Sequence, residues 1–335
     1  MQASFALQAG ISKMNSLQLE KIGSLKLRQA HIPEINSNEI LLKVTHCSVC
    51  RTDAKMWERG QRDLVLPRIL GHEICGISES GKRFVVWPGK ACGQCRQCRR
   101  GVENLCREMQ IMGFHKDGGF AEYAAVPESS LIPISDKLPG NIASLAEPLS
   151  CAINALEQAG VEKKDRVLIY GAGPVGLMTA LAVRAAEAYP FVKEISLNKL
   201  VRSEVFRRQV GIKCVTDVDN NTSDFDVVIN AAPSRDTFLK GLADLRPGGC
   251  FCLFSGLTDD SPIPVSVINE IHYRQLGITG AYGCTREQMR SALKLLSDYK
   301  EDIRLLIDDH IELEDVPVVL PKILGGQALK FIVKL

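Results

Sequence analysis

The chain lacks a large excess of charge of either sign, and it lacks a long uninterrupted apolar segment. Its 335 residues carry 41 Lys and Arg against 39 Asp and Glu, with both signs interspersed. This balance gives no basis for binding nucleic acid or an anionic membrane surface. The first ten residues show no basic stretch followed by an apolar one, and the stretch from Val167 to Ala186 is interrupted by glycines, a proline and Arg184. We therefore expect no signal peptide, no membrane span and small-molecule partners.

Cysteine, by contrast, is abundant, with twelve residues. Four of them share one short polar segment, namely Cys92, Cys95, Cys98 and Cys106. Four thiolates at this spacing can close a tetrahedral structural zinc site without ligands from elsewhere. Two disulfides are the alternative, but the glycines and arginines around the segment provide no core in which cysteines would be buried. Other cysteines, such as Cys75 and Cys252, have apolar neighbours, as reduced core thiols do, which predicts a reducing, cytoplasmic location.

A second set of candidate metal ligands is dispersed along the chain. It contains a thiolate, an imidazole and two carboxylates: Cys50, His72, Glu73 and Glu147. Dispersed ligands suit a catalytic zinc, which takes three protein ligands and keeps one exchangeable position. Such a zinc lowers the pKa of a bound alcohol, so that the alcohol ionises near neutral pH and releases a hydride readily. We therefore predict two zinc ions per chain, with Cys47 as the alternative thiolate if Cys50 is not the ligand.

A glycine turn lies between an apolar strand and an alanine-rich helix. Its glycines let the backbone approach a pyrophosphate at the helix N-terminus, where free N–H groups favour anions. The strand before the turn and the helix after it supply the context that the motif requires. The sequence therefore predicts dinucleotide binding by Gly171, Gly173, Pro174, Val175 and Gly176.

With these motifs the chain resembles the zinc-containing medium-chain alcohol dehydrogenases, in particular the branch of polyol (sorbitol-like) and threonine dehydrogenases. Further similar segments are Trp57-Glu-Arg-Gly60, Gly118-Gly-Phe-Ala-Glu-Tyr123 and Leu245-Arg-Pro-Gly-Gly249. All of them follow the family's order over nearly the whole chain. The resemblance implies an α/β fold made of a GroES-like, mainly β catalytic domain and a doubly wound Rossmann domain. It also implies a homodimer or homotetramer.

The resemblance also implies roles for individual residues. Glu147 would be the third ligand of the catalytic zinc, directly or through water, while Glu73 beside the metal is the alternative. Thr52 matches the Ser or Thr that passes the alcohol proton toward solvent, and its hydroxyl can both donate and accept. Asp53 would orient an imidazole or its loop. The implied function is the transfer of a hydride between a secondary alcohol, such as a polyol or hydroxy compound, and NAD(P).

Some segments depart from the family pattern. Lys55 replaces a His that polyol enzymes often carry at the outer end of the proton relay. The segment between Glu73 and Cys92 is short, and an insertion is expected between the glycine helix and the next strand. The stretch Ala281-Tyr-Gly-Cys284 replaces an Arg of the polyol members, which weakens the case for a sugar alcohol as substrate.

The pattern of strands and helices predicts two domains. Residues 1–148 contain short alternating runs, which favour a mainly antiparallel β domain, and residues 285–335 return to that domain by resemblance. Residues 149–284 alternate strands with helices, as a doubly wound sheet does. The predicted strands of this sheet are Val167–Tyr170, Glu194–Leu197, Lys213–Thr216, Val227–Ala231, Cys250–Ser255 and Leu276–Gly280. A helix over Arg286–Tyr299 and a strand over Leu329–Val333 are predicted near the C-terminus.

The choice of cofactor depends on the end of the second predicted strand, Glu194–Leu197. An acidic residue there would bind the ribose diol of NAD and repel a 2′-phosphate. Counting back from Gly211 places Asn198 at that position, with Lys199 and Arg202 as cations that could meet a phosphate. This favours NADP and leaves NAD open. It also supports an alternative function, a biosynthetic NADPH-dependent ketone or aldehyde reductase, whereas a non-catalytic module would not need the full set of metal and relay residues.

Overall fold

The structure is a computed structural model, and it describes residues 12–216 and 224–335. The first eleven residues, to which the prediction of no signal peptide refers, lie outside the described residues. Within the described part of the chain, no helix combines the length and the hydropathy needed to cross a bilayer.

The strands and helices alternate differently in the two halves of the chain. The strands are β1 (Lys13–Lys21), β2 (Ser24–His31), β3 (Glu39–Ser48), β4 (Arg68–Ile69), β5 (Glu73–Ser78), β6 (Arg83–Val86), β7 (Gly89–Lys90), β8 (Gln110–Ile111), β9 (Tyr123–Pro127), β10 (Leu131–Pro133), β11 (Arg166–Tyr170), β12 (Tyr189–Lys193), β13 (Lys213–Cys214), β14 (Phe225–Asn230), β15 (Leu245–Leu253), β16 (Gly277–Gly280), β17 (Ile307–Ile311) and β18 (Lys330–Lys334). The α-helices are α1 (Arg51–Arg59), α2 (Arg96–Arg99), α3 (Gly140–Ala143), α4 (Ala146–Ala159), α5 (Pro174–Ala185), α6 (Leu197–Arg202), α7 (Glu204–Val210), α8 (Arg235–Asp244), α9 (Val265–Tyr273), α10 (Arg286–Asp298), α11 (Lys300–Arg304) and α12 (Val316–Leu324).

The chain folds into two compact units. The first unit contains the described residues up to Glu147, and it also takes in Thr285–Lys300 and Ile307–Leu335. The second unit contains Pro148–Cys284 and Glu301–Leu306. The C-terminal part of the chain therefore belongs mostly to the first unit.

The first unit is built on β-sheets. Its largest sheet has the order β10-β6-β5-β3-β18-β17, with β9 also paired to β3, and a smaller sheet has the order β2-β1-β4. Strand β18 runs antiparallel to β3, with Ile332 opposite Ser48, and the Val49 N–H donates to the Phe331 carbonyl at 3.0 Å. The final strand therefore lies beside the segment that leads from β3 into Cys50.

Alternation of apolar residues along these strands supplies the core of the first unit. Leu17 and Leu19 of β1 are fully buried, and they share one cluster with Leu42 and Val44 of β3 and Val333 of β18. Burial of each such side chain stabilises the fold by about 1.5–3 kcal/mol. The last strand is thus held in place by packing as well as by backbone hydrogen bonds.

The second unit contains one parallel sheet with the order β13-β12-β11-β14-β15-β16. Helices α5 and α8 pack on its strands. The strand order reverses between β11 and β14, so this is the topological switch point at which doubly wound folds bind their ligands. The predicted α/β architecture is confirmed, with a mixed-sheet unit and a Rossmann-type unit.

The predicted position of the second strand of this sheet is wrong. The strand is β12, Tyr189–Lys193, and the predicted range Glu194–Leu197 instead follows it and leads into α6. Pro190 obscured the strand, because a proline within a run argues against a central strand. Here it pairs in register with Val167 and is buried. The expected insertion before this strand is also wrong, since only three residues separate α5 from β12.

Candidate functional site

The four cysteines of the short polar segment converge in the first unit. Their sulfur atoms all lie within 4.8 Å of one another, with Sγ–Sγ distances of 3.5 Å for Cys95–Cys98, 3.9 Å for Cys92–Cys98 and 4.0 Å for Cys95–Cys106. Zinc–sulfur bonds of 2.3 Å in a tetrahedron place sulfurs about 3.8 Å apart, so the spacing fits this metal. A disulfide requires about 2.05 Å, and all four cysteines are free.

The backbone of this segment also donates hydrogen bonds to the cysteine sulfurs. The N–H of Cys92 points to Cys106 Sγ at 3.3 Å, and the N–H of Cys95 points to Cys92 Sγ at 3.4 Å. A backbone hydrogen bond from Cys98 lowers the pKa of Cys95 to about 6, whereas burial and the neighbouring Cys95 sulfur raise the pKa of Cys98 to about 12. A bound zinc ion would hold all four cysteines as thiolates, because metal ligands are deprotonated.

A second group of metal-ligand atoms lies around the start of α1. The ligand atoms of Cys50, His72 and Glu73 are within 4.8 Å of one another. Cys50 is the N-cap of α1, and its sulfur accepts the N–H of Thr52 at 3.4 Å. Asp53 completes the cap by accepting the N–H of Cys50 at 2.9 Å. The capping geometry thus fixes the Cys50 sulfur at the N-terminus of the helix.

Asp53 also fixes the position of His72. Its second oxygen, Oδ1, lies 3.3 Å from His72 Nδ1 and accepts the N–H of Gly71 at 3.2 Å. Burial alone would lower the pKa of His72, but the charges of Asp53 and Cys50 outweigh burial and raise the pKa well above its usual value. The negative charges of Asp53 and Cys50 around the His72 ring therefore favour a bound cation at this position. Zinc fits this donor set, with Asp53 as the carboxylate that orients the imidazole.

Cys47, the alternative thiolate, lies elsewhere. Its side chain is fully buried in the core of the first unit, and burial raises the pKa of its thiol well above the usual range. Its sulfur packs against Gly71 and Gly119, where an added Cβ would approach to 2.9 Å. It is not part of the group formed by Cys50, His72 and Glu73.

Sequence reasoning missed Lys330, the first residue of β18. Its Nζ lies 2.7 Å from Oε1 and 2.6 Å from Oε2 of Glu73, and both side chains are almost inaccessible to solvent. Although burial lowers the pKa of Lys330, the charges of Glu73 and Cys50 raise it overall. The only signal in the sequence was a charged residue inside an otherwise apolar strand, and such a residue is rarely buried unless it is paired.

Glu147 and Thr52 lie near this group. Glu147 is in the first turn of α4, and its charge contributes to the raised pKa of Lys330. It is half-buried and stands outside the trio whose ligand atoms are within 4.8 Å. Thr52 is half-buried in the first turn of α1, two residues after Cys50. The structure therefore brings all the predicted residues of the dispersed site into one unit, and it adds Lys330.

The glycine turn has the geometry that was predicted. Gly171 follows β11 with φ +109°, and Gly173 is the N-cap of α5, with Pro174 in the first turn. A Cβ on Gly176 would lie 2.0 Å from the Gly171 carbonyl oxygen, whereas a Cβ on Gly173 would meet nothing within 4 Å. Position 176 must therefore be glycine for the turn to form. The open space at Gly173 leaves room for a ligand at the N-terminus of α5.

The end of β12 differs from the prediction in a way that concerns the cofactor. The residue after the strand is Glu194, whose nearly buried carboxylate accepts the N–H groups of Ala172 and Ser196, each at 2.9 Å. Lys199 lies 3.4 Å from the same carboxylate, and Asn198 is exposed on α6. The placement of Asn198 at the acidic position was therefore wrong. The missed signal was the distance from the glycine turn, since an acidic residue is expected about 20 residues after it.

Arg202 is likewise exposed on α6. Of the two cations predicted to meet a 2′-phosphate, Lys199 lies 3.4 Å from the carboxylate at the strand end. Its ammonium group is already partnered by that carboxylate.

Comparisons with known proteins agree with this arrangement. The family model of the alcohol dehydrogenase GroES-like domain matches residues 36–136. The chain is 35% identical to L-galactonate-5-dehydrogenase of Escherichia coli over 318 residues, which cover 87% of this chain and 89% of that protein. It is 28% identical to D-altritol 5-dehydrogenase of Agrobacterium fabrum, over 90% of this chain and 94% of the relative.

A solved structure with the same fold comes from Sinorhizobium meliloti 1021, described as a zinc-binding dehydrogenase bound to NADP. It has a TM-score of 0.86 and 27% identity, and the match covers 97% of this chain and 100% of that chain. The structural match extends over both units.

Proposed function

The chain belongs to the zinc-containing medium-chain alcohol dehydrogenases, and we propose which of its residues bind the metal ions and which transfer the proton. As a member of this family it is a zinc-dependent oxidoreductase that transfers a hydride between a secondary alcohol and NAD(P). Cys50, His72 and Glu147 hold the catalytic zinc, and the four-cysteine segment holds a structural zinc. The main observation behind this assignment is that the ligand atoms of half-buried Cys50 and buried His72 lie together, with Asp53 3.3 Å from the other side of the His72 ring.

Lys330 supports Glu147 rather than Glu73 as the carboxylate ligand. Both oxygens of Glu73 lie within 2.7 Å of the Lys330 ammonium. If Glu73 bound the metal instead, the buried Lys330 ammonium would lose its partner. An unpaired buried charge destabilises the folded protein by about 3–5 kcal/mol. For Lys330, the charge of Glu147 is a smaller influence on the pKa than the charge of Glu73.

The residues of this site then perform distinct steps. A zinc ion held by Cys50, His72 and Glu147 would supply a Lewis acid that favours loss of the alcohol proton. The Thr52 hydroxyl accepts that proton and passes it outward, as a group that can both donate and accept. Asp53 keeps the His72 ring in one orientation, and the Glu73–Lys330 pair adds no net charge next to the reacting alcohol.

The end of β12 supports NAD as the preferred cofactor. The Glu194 carboxylate stands at the position that binds the ribose diol and repels a 2′-phosphate. It also neutralises Lys199, the cation that had suggested NADP. The alternative of an NADPH-dependent biosynthetic reductase was based on the lack of an acidic residue at this position, and Glu194 now argues against it.

The substrate we propose is a polyol or a sugar acid with a secondary hydroxyl group. Its support is the similarity to dehydrogenases named for galactonate and altritol. The enzyme would act as a homodimer or homotetramer in the cytoplasm. Its twelve cysteines, none of which forms a disulfide within the described residues, suit a reducing compartment. Size-exclusion chromatography with light scattering tests the oligomeric state.

The test of the proposed function is a substrate panel of hexitols, hexonates and simple secondary alcohols, each with NAD and with NADP. We expect NAD reduction with at least one polyol or sugar acid and a higher kcat/KM than with any simple alcohol. Activity on simple secondary alcohols alone would refute the substrate class, although not the family.

A further inference from the structure

Asn230 is the last residue of β14, at the topological switch point of the second unit. Strand β14 lies next to β11 in the parallel sheet, and Asn230 pairs in register with Tyr170, the residue before the glycine turn. The two strands thus end side by side at the edge where a doubly wound sheet binds its ligand. The Asn230 side chain is fully buried there.

The orientation of the Asn230 amide is fixed by its neighbours. Its Oδ1 accepts the backbone N–H of Ala232 at 3.1 Å and the Thr237 hydroxyl at 3.0 Å. A backbone N–H can only donate, so the atom that faces Ala232 must be the oxygen. The Nδ2 group therefore points away from this loop, and it has no hydrogen-bond partner among the residues that the structure describes.

A buried amide donor without a partner destabilises the folded protein, and such groups are rare outside functional sites. The loop after β14 would be capped equally well by a carboxylate, which has no donor to leave unpaired. The donor therefore requires an acceptor that the described residues of the chain do not provide.

We infer that Asn230 is a positioning residue for the cofactor, and that its Nδ2 donates to an oxygen of the nicotinamide mononucleotide half. A doubly wound sheet consists of two mononucleotide-binding halves. The half that contains β11 and β12 carries the glycine turn and Glu194, which serve the pyrophosphate and the adenosine. Asn230 belongs to the other half, β14–β16. The inference rests on the dinucleotide binding assigned above.

The test compares NAD with AMP, which has the adenosine half but no nicotinamide half. Isothermal titration with the zinc-loaded enzyme gives the dissociation constant of each ligand. In Asn230→Asp, Oδ1 still caps the loop, but the donor is replaced by an anionic acceptor. We expect the dissociation constant for NAD to rise about ten- to thirtyfold and that for AMP to change less than about twofold.

Thr237→Val is the matched control, because it disturbs the same capping loop without touching the Nδ2 donor. It should lower the melting temperature and leave the ratio of the two dissociation constants unchanged. Asn230→Ser provides a second variant without the amide donor if the aspartate variant does not fold, and it should show the same selective loss of NAD affinity.

The outcomes separate this inference from the proposed function. Equal losses for NAD and AMP, or no loss for either, would overturn the role of Asn230. A wild-type enzyme that binds neither ligand would instead overturn the dinucleotide binding on which the inference depends.

Discussion

The two candidate metal sites of the first unit differ in how their ligands are distributed along the chain. Cys92, Cys95, Cys98 and Cys106 lie within one short segment, in which the N–H groups of Cys92 and Cys95 point to the sulfurs of Cys106 and Cys92. The proposed catalytic set instead takes Cys50 from the N-cap of α1, His72 from a loop and Glu147 from α4, while Lys330 comes from the last strand. The first site can form locally, whereas the second exists only when the whole unit is folded.

This difference predicts how each site responds to change. The loss of a ligand from the loop should weaken the fold of that loop, because metal binding there is folding free energy. The loss of a ligand from the dispersed site should remove activity and leave the fold, because β3, α1 and β18 are held by the core. Three substitutions in the first unit test this contrast, and a fourth tests the cofactor site of the second unit, in order of expected effect.

Cys50→Ser should reduce kcat for alcohol oxidation about a thousandfold or more, because the thiolate ligand of the Lewis acid is lost. The melting temperature should fall by only a few degrees, and the affinity for NAD should stay within about twofold. Steady-state kinetics, calorimetry and titration measure the three quantities. Turnover at the wild-type level would show that Cys50 is not a ligand.

Cys98→Ser should have the opposite profile. We expect the zinc content to fall from two ions per chain to one, and the melting temperature to fall by about 10 °C or more. Turnover measured at low temperature should remain within about threefold of wild type. A variant that keeps its melting temperature would show that the loop does not depend on metal for its stability.

The pair Lys330 and Glu73 sharpens the description of the dispersed site. Lys330→Met should lower the free energy of unfolding by about 3–5 kcal/mol, because it leaves the Glu73 carboxylate buried without its cation. Adding Glu73→Gln should restore most of that loss in urea unfolding. Lys26→Met, which breaks an exposed pair with Glu20 in the same unit, should cost less than about 1 kcal/mol. Losses that simply add in the double variant would contradict the pairing.

In the second unit, Glu194→Gln should shift the ratio of kcat/KM for NADP over NAD upward by about ten- to a hundredfold, since it removes repulsion of the 2′-phosphate. Asn198→Ala is the matched control on exposed α6 and should change the ratio less than about twofold. A wild-type preference for NADP, or an effect seen only in Asn198→Ala, would instead place Asn198 at the ribose, as the sequence analysis predicted.

The same contrast explains what could be predicted from the sequence. The four-cysteine loop and the glycine turn were recognisable because each is a continuous segment whose spacing carries its chemistry. The α/β architecture followed from the change in periodicity along the chain, and the structure brings Cys50 and His72 together as their motifs suggested.

The failures concern residues whose role depends on distant partners. Glu194 was missed because Pro190 disguised β12, so the end of the strand was placed four residues too late. Lys330 was missed because only the pairing of β18 with β3 brings it to Glu73. Asn230 carried no signal at all, since its unpaired donor is a property of the folded loop.

The most direct test of the dispersed site is the identity of its carboxylate ligand. The measurement is the visible absorption spectrum of enzyme with cobalt in the Cys50–His72 site and zinc kept in the four-cysteine loop. We predict that Glu147→Gln changes the ligand-field bands, whereas the double variant Glu73→Gln/Lys330→Met keeps the wild-type spectrum. A spectrum that changes in the double variant and stays unchanged in Glu147→Gln would contradict the account and assign the metal to Glu73.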